Sequence, residues 1–140
     1  MTTMSDDEWR EFVTGGSRLG NAAICRSNGL PHVTPICFVV EGDQLIFTTH
    51  PGSVKGRSIA RSGHMAVCVS DEAHPYRFAM VEGEAALSDD PADLLQVGTA
   101  IGRRYMPWQD PEEFARSLAS AGFAVARVDV TNVIARRDLG

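Results

Sequence analysis

Lysine is nearly absent from this chain. Lys55 stands alone against twelve arginines, and 18 acidic residues outnumber both together, leaving a formal charge of -5 and an isoelectric point near 5.3. That balance supplies no broad basic face, so generic binding to nucleic acid or an anionic membrane by counterion release is excluded, while a local basic pocket is not. No apolar run approaches the roughly 20 residues of a spanning helix, and MTTMSDDEWREF lacks the basic-then-apolar order of a secretory leader, so a cytoplasmic protein is expected. Cys25, Cys37 and Cys68 are odd in number and form no CxxC pair, which argues against a disulfide framework and against a metal site. They lie in strand-like segments and read as small buried residues. No Pro/Ser or charge-run linker divides the 140 residues, so residues 1–140 read as one domain. Also missing are a GxSxG elbow and a GxxxxGK[ST] loop. His32, His50, His64 and His74 are scattered, so no acid–base or nucleophilic constellation appears and no catalytic side chain is assigned.

Start and stop signals, by contrast, are plentiful. Ser5 followed by Glu8 is a capping box that opens a short helix through Trp9, Phe12 and Val13, stopped at Gly15-Gly16. LGNAAIC and PHVTPICFVV flank Arg26-Ser27-Asn28-Gly29, and Asn-Gly between apolar runs predicts a hairpin because both residues tolerate positive φ. Glu41-Gly42-Asp43 turns the chain into a third strand, QLIFTT, which ends at Pro51-Gly52. Ser53 caps a helix through Arg61, and HMAVCVS and RFAMVEGEAAL follow as strands around DEAHPY, with a possible bulge at Glu82-Gly83. To this point the pattern reads as a meander. Asp90-Pro91 and Asp110-Pro111 each combine an N-cap with proline at the first helical position, and FAVARVDVTNVIA closes the chain as a long strand. About six mostly antiparallel strands with short helices predict a mainly β fold, a small barrel or strongly curled sheet. Pro31 and Pro35 cannot donate to a ladder, so their strand either carries a bulge or leaves backbone unpaired and free for a ligand.

SVKGRSI, Ser53 to Ile59, is the stretch that carries chemistry. A helix start exposes unpaired N–H groups and the positive end of the macrodipole, Ser53 and Ser58 add hydroxyls, and Lys55 and Arg57 add charge. That combination suits a phosphate, or else it is a solvated basic turn. His50 and His74 are loop residues that either touch a substrate or lie in solvent. Tyr76, Arg77, Phe78 and Met80 open a strand where they could cover a ring face, meet an acidic tail across a subunit interface, or simply pack. Tyr105 and Trp108 either rim a pocket or close the core, and core closure is expected.

Taken together, NGLPHVTPICFVVEGDQLIFTTHPGSVKGRSIARSGHMAVCVSDEAHPYRFAMVEGEA, within residues 5 to 137, resembles the split β-barrel flavin and deazaflavin reductases, the group related to pyridoxamine 5'-phosphate oxidase. It is most similar to their short actinobacterial branch, which uses coenzyme F-420, an 8-hydroxy-5-deazaflavin. The resemblance implies an FMN-binding-type split barrel, a homodimer, and a cofactor groove at the subunit interface. In that groove Thr34, Pro35 and Ile36 would face the ring, Thr48 and Thr49 would end a strand beneath the phosphate side, and Ser53, Lys55, Arg57 and Ser58 would hold the anion. His50, Tyr76, Arg77 and Met80 remain possible contacts to substrate or to the partner subunit. RVDVTNVIARRDLG has no counterpart of the arginine- and histidine-rich end of the true pyridoxamine phosphate oxidases, so vitamin B6 oxidation is not expected. The implied activity is hydride transfer from F-420 to a small electron-poor or conjugated molecule. The alternatives are FMN in the same fold, with electrons from a nicotinamide, or a non-catalytic flavin or deazaflavin carrier. An absent acid–base set suits such a protein, because a redox cofactor carries the difficult chemistry itself.

Overall fold

The computed structural model describes residues 1–140. Strand β1 (Thr2–Thr3) leads into α1 (Asp6–Thr14), which begins with the full capping box: Ser5 Oγ accepts from Glu8 N–H, and Glu8 accepts from Ser5 N–H. Next come β2 (Gly20–Cys25), β3 (Pro31–Ile36), β4 (Phe38–Glu41), β5 (Gln44–Thr49), α2 (Val54–Arg61), β6 (His64–Asp71), β7 (Arg77–Ser88), α3 (Pro91–Tyr105), α4 (Pro111–Ser120) and β8 (Ala124–Arg137). Every helix begins at the cap read from sequence, because these caps act over a few residues and need no tertiary partner.

The strands form one eight-stranded antiparallel sheet in the order β3-β2-β6-β7-β8-β5-β4, with β1 beside β8. This is a curled, mainly β split barrel, but it is not a meander. β6 returns to β2, and the long β8 pairs with β7 along nearly its whole length while its first half, Ala124 to Asp129, also pairs with β5 on the other side. The second strand expected from sequence is two strands. β3 and β4 occupy opposite edges of the sheet, yet only Cys37 separates them in the chain. Ile36 still pairs with Gly20, while Phe38 already pairs with Phe47, so one covalent step joins the two edges and curls the sheet into a barrel. The register shift expected at Glu82/Gly83 is present, and a Cβ on Gly83 would lie 2.0 Å from the Asp129 carbonyl oxygen, which keeps that position glycine.

The barrel interior holds the main core, including Phe38, Phe47, Val67, Val81 and Val128, and α1 seals one end with Trp9, Phe12 and Val13. A smaller core forms outside the barrel, where Leu94, Val97 and Ile101 of α3 pack on Ile46 and Val125. Two core expectations are corrected. Trp108 is 77% exposed, since it follows the end of α3 in a turn that no element covers, although Tyr105 is part-buried and its hydroxyl donates to the Arg18 carbonyl. Cys25 is exposed because strand alternation in β2 turns Ala22 and Ile24 inward and Cys25 outward, while Cys37 and Cys68 are half-buried.

Candidate functional site

β3 is an edge strand with a partner on one side only. At the hairpin Arg26 N–H donates to the Leu30 carbonyl, and Gly29 N–H donates to the Arg26 carbonyl at φ +84° for Gly29. Asn28 does not share that positive φ, so the hairpin predicted from Asn-Gly is closed by a three-residue loop with glycine alone at positive φ. Because bonded and non-bonded pairs alternate along an antiparallel ladder, the backbone groups of His32, Thr34 and Ile36 point toward β2, and those of Pro31, Val33 and Pro35 point away. Both prolines therefore lack their N–H where no strand needs it. The open edge presents three carbonyls and a single donor, the Val33 N–H. Such an edge resists the addition of another strand, yet it leaves backbone acceptors and one donor for a ligand.

Side chains on β3 alternate as well. Pro35 is exposed on the outer face, Thr34 is half-buried on the inner face, and Ile36 is 5% exposed with its side chain in the main core. What these three residues share is the strand, not a common side-chain surface.

Facing the inner side of β3 is the start of α2. Ser53 Oγ accepts from Gly56 N–H at 3.0 Å, donates to the His50 carbonyl at 2.7 Å and lies 3.2 Å from the hydroxyl of Thr49, which is buried. Its hydroxyl thus serves as the cap. The glycine of KGR is explained by close approach: a Cβ at Gly56 would sit 2.3 Å from the His50 carbonyl oxygen. Lys55 then reaches across to β3. Its Nζ donates to Thr34 Oγ1 at 3.0 Å and lies 5.7 Å from the centre of the Phe47 ring. No carboxylate pairs with it, and burial pushes its pKa below the ordinary lysine value. A half-buried cation without a counter-charge is unfavourable by itself, so an anion from outside would find it unopposed.

The remaining residues divide. Ser58 is buried and spends its hydroxyl on the Cys25 carbonyl, so it ties α2 to the hairpin. Arg57 is exposed, and its position two residues from Lys55 places it about 200° around the helix, so the two cations face different sides. Thr48 is half-buried on β5 opposite Val125. His50 accepts from Gly52 N–H through Nδ1 and sits edge-on to Phe123. Tyr76 is 46% exposed beside His74. Arg77 shares Asp71 with Arg18, and both guanidinium groups lie 4.6 Å from the Phe12 ring centre. The Ala73 N–H and Arg77 together hold the Asp71 carboxyl below the usual range. Met80 lies on the outer face in one cross-strand row with Cys68, Asn21 and Pro35. Sequence reasoning missed Arg26 and Arg61, whose only signal was their charge. The histidines do not converge, and no group of three or more His, Cys, Asp or Glu side chains is placed to hold a metal.

The model of the pyridoxamine 5'-phosphate oxidase family matches residues 5–137, and the chain belongs to that family, in a superfamily of flavin-binding split-barrel oxidoreductases. Solved structures of similar fold include a conserved hypothetical protein from Mycobacterium tuberculosis, with 22% identity, a TM-score of 0.86 and coverage of 99% of this chain and 88% of that one. An F420 reductase is 26% identical at a TM-score of 0.72, over 88% of this chain and 94% of its own. A FAD-binding protein from Mesorhizobium loti is 20% identical at a TM-score of 0.74, over 96% of each chain. No curated protein sequence matches. No helix is long and apolar enough to cross a membrane.

Proposed function

We propose that this protein binds reduced coenzyme F-420 and passes its hydride to a small electron-poor or conjugated organic molecule, acting as a homodimer in the cytoplasm. The observation that carries the reading is Lys55, half-buried, without a counter-charge and bonded to Thr34 of the open-edge strand. The F420 reductase at 26% identity favours the deazaflavin over FMN. When bound, the cofactor supplies the hydride. The chain's own residues would bind and orient it: Lys55 and the start of α2 would neutralise its phosphate, the Thr48–Thr49 strand end would support that side, and the β3 edge around Pro35 would face the ring.

The dimer reading rests on the outer face of the sheet. α3 and α4 cover the β5 and β8 side, whereas the rows Pro35–Asn21–Cys68–Met80–Ile134 and Val33–Ala23–Ala66 run across the other strands with no element above them. A second copy laid on this face would bury Val33, which is 60% exposed, and would enclose the β3 edge between subunits. Equilibrium titration with F-420 and with FMN, followed by turnover against enones, quinones and tetrapyrroles, tests the proposal. Tighter F-420 binding with turnover supports it. Tighter FMN binding gives the flavin alternative, and tight binding without turnover gives a carrier.

A further inference from the structure

The side of α2 turned away from Lys55 holds a second concentration of positive charge. Arg57 and Arg61 line a hollow of about 400 Å³ together with Val54, and its opposite wall is the hairpin tip, Arg26, Ser27 and Asn28. No carboxylate lines it. Arg10, Arg18, Arg77, Arg116, Arg127 and Arg137 all form ion pairs, whereas Arg26, Arg57 and Arg61 form none; Arg103, Arg104 and Arg136 also form none, but Arg26, Arg57 and Arg61 line one hollow together. In a chain with 18 acidic residues against 13 cations, this gathering is unlike the rest of the molecule. Like charges placed together without a counter-charge repel one another, and an anion from outside relieves that repulsion.

The walls are held in place before any ligand arrives. Arg61 donates to the Cys25 carbonyl, which also accepts from Ser58 Oγ, so α2 is pinned to the end of β2. The tip is closed by its two backbone bonds and by Asn28 Oδ1 accepting from Leu30 N–H at 3.0 Å. The guanidinium groups of Arg26 and Arg57 make no hydrogen bond within the chain, so their donors are free. α2 contains no acidic residue in its first turn to compete for them.

We propose that Arg26, Arg57 and Arg61 form a second anion site, separate from Lys55, that takes a compact and multiply charged oxyanion group, a phosphate or clustered carboxylates. Guanidinium forks suit both, because each can grip two oxygens at once. The existence of the site is independent of the proposed function. Only its source rests on that reading: if the group belongs to the cofactor, the cofactor carries two separated anionic groups, which FMN with its one phosphate does not.

Calorimetric titration of the full chain with pyrophosphate tests this. In a Lys55→Met background, which removes the other cation, one pyrophosphate site is expected, and adding Arg26→Gln or Arg57→Gln should each weaken it roughly tenfold. Arg61 is left intact because it also holds the hairpin. Thermal melts of each variant confirm that folding is retained. No pyrophosphate binding in the Lys55→Met protein, or unchanged binding after both arginine substitutions, overturns the proposal. Arg26→Gln in the otherwise unaltered chain then identifies the source. Weaker F-420 binding with unchanged FMN binding assigns the anion to the cofactor, and unchanged binding of both assigns it to a separate ligand. If the wild-type chain fails to bind F-420 at all, the functional reading falls while the pyrophosphate result stands.

Discussion

Replacing Lys55 with methionine removes a charge and keeps most of the stem. The wild-type ammonium makes one hydrogen bond, to Thr34 Oγ1 at 3.0 Å, and one cation–π contact at 5.7 Å from the Phe47 ring centre. Losing the hydrogen bond costs about 1 kcal/mol, and losing a cation–π contact near the limit of its range costs at most about 0.5 kcal/mol. Against these stand relief from burying an uncompensated cation and retention of the apolar stem. The terms oppose one another, so stability without ligand should change by less than about 1 kcal/mol. Binding should suffer more. A charge-assisted hydrogen bond is worth about 1.5–3 kcal/mol, which is roughly 10- to 150-fold in Kd for F-420.

The pH dependence has a definite sign. Burial lowers the folded-state pKa of Lys55 below the ordinary 10.5, so between the folded and unfolded values the unfolded chain binds more protons and stability rises with pH. The penalty for burying the cation is present at neutral pH and disappears as pH climbs through that window to 10.5. The methionine variant should lack this rise. Urea melts between neutral pH and the lysine range, paired with fluorescence titrations, measure both effects. Equal F-420 affinity in wild type and variant would refute the phosphate role, and a stability loss above about 2 kcal/mol would show that Lys55 is structural.

Three further outcomes are expected. Met80→Glu places a carboxylate in the uncovered outer row of the sheet and should convert a dimer to monomer in light scattering with little loss of monomer stability; a variant that remains dimeric removes this face as the interface. Gly56→Ala forces a Cβ to within 2.3 Å of the His50 carbonyl oxygen and should destabilise the fold by about 2 kcal/mol while weakening cofactor binding, because the start of α2 must shift; an unchanged urea midpoint contradicts it. Arg104→Ala strips donors from the carbonyls of Val13, Gly16 and Phe38 and should cost about 3 kcal/mol, with affinity per folded molecule unchanged, since this guanidinium clamps α1, α3 and β4 and makes no hydrogen bond to α2.

Much of the fold was legible because its signals are local. A cap at Ser5, Ser53, Asp90 or Asp110 satisfies N–H groups within a few residues, so each helix start follows from composition and spacing alone. The two prolines of β3 announced an unpaired edge for the same reason, a missing donor in the residue itself. For the candidate site the sequence named residues and could not give their arrangement. Sequence placed Lys55 and Arg57 in one cradle with the hydroxyls of Ser53 and Ser58. In the fold both hydroxyls serve structural bonds, and the two cations turn to opposite sides of α2.

Those outcomes depend on free energies shared between distant segments, which no local window contains. The sequence by itself determined where each helix starts, where most of the strands lie, the glycine and proline punctuation, and that one lysine sits at a helix start. Only the tertiary structure decided that β3 and β4 part at Cys37 to opposite sheet edges, that Lys55 reaches Thr34, and that Arg26 meets Arg57 and Arg61. The reason is pairing. β8 can satisfy its backbone against β5 and β7 only if the intervening chain curls, and that closure brings the hairpin tip against α2.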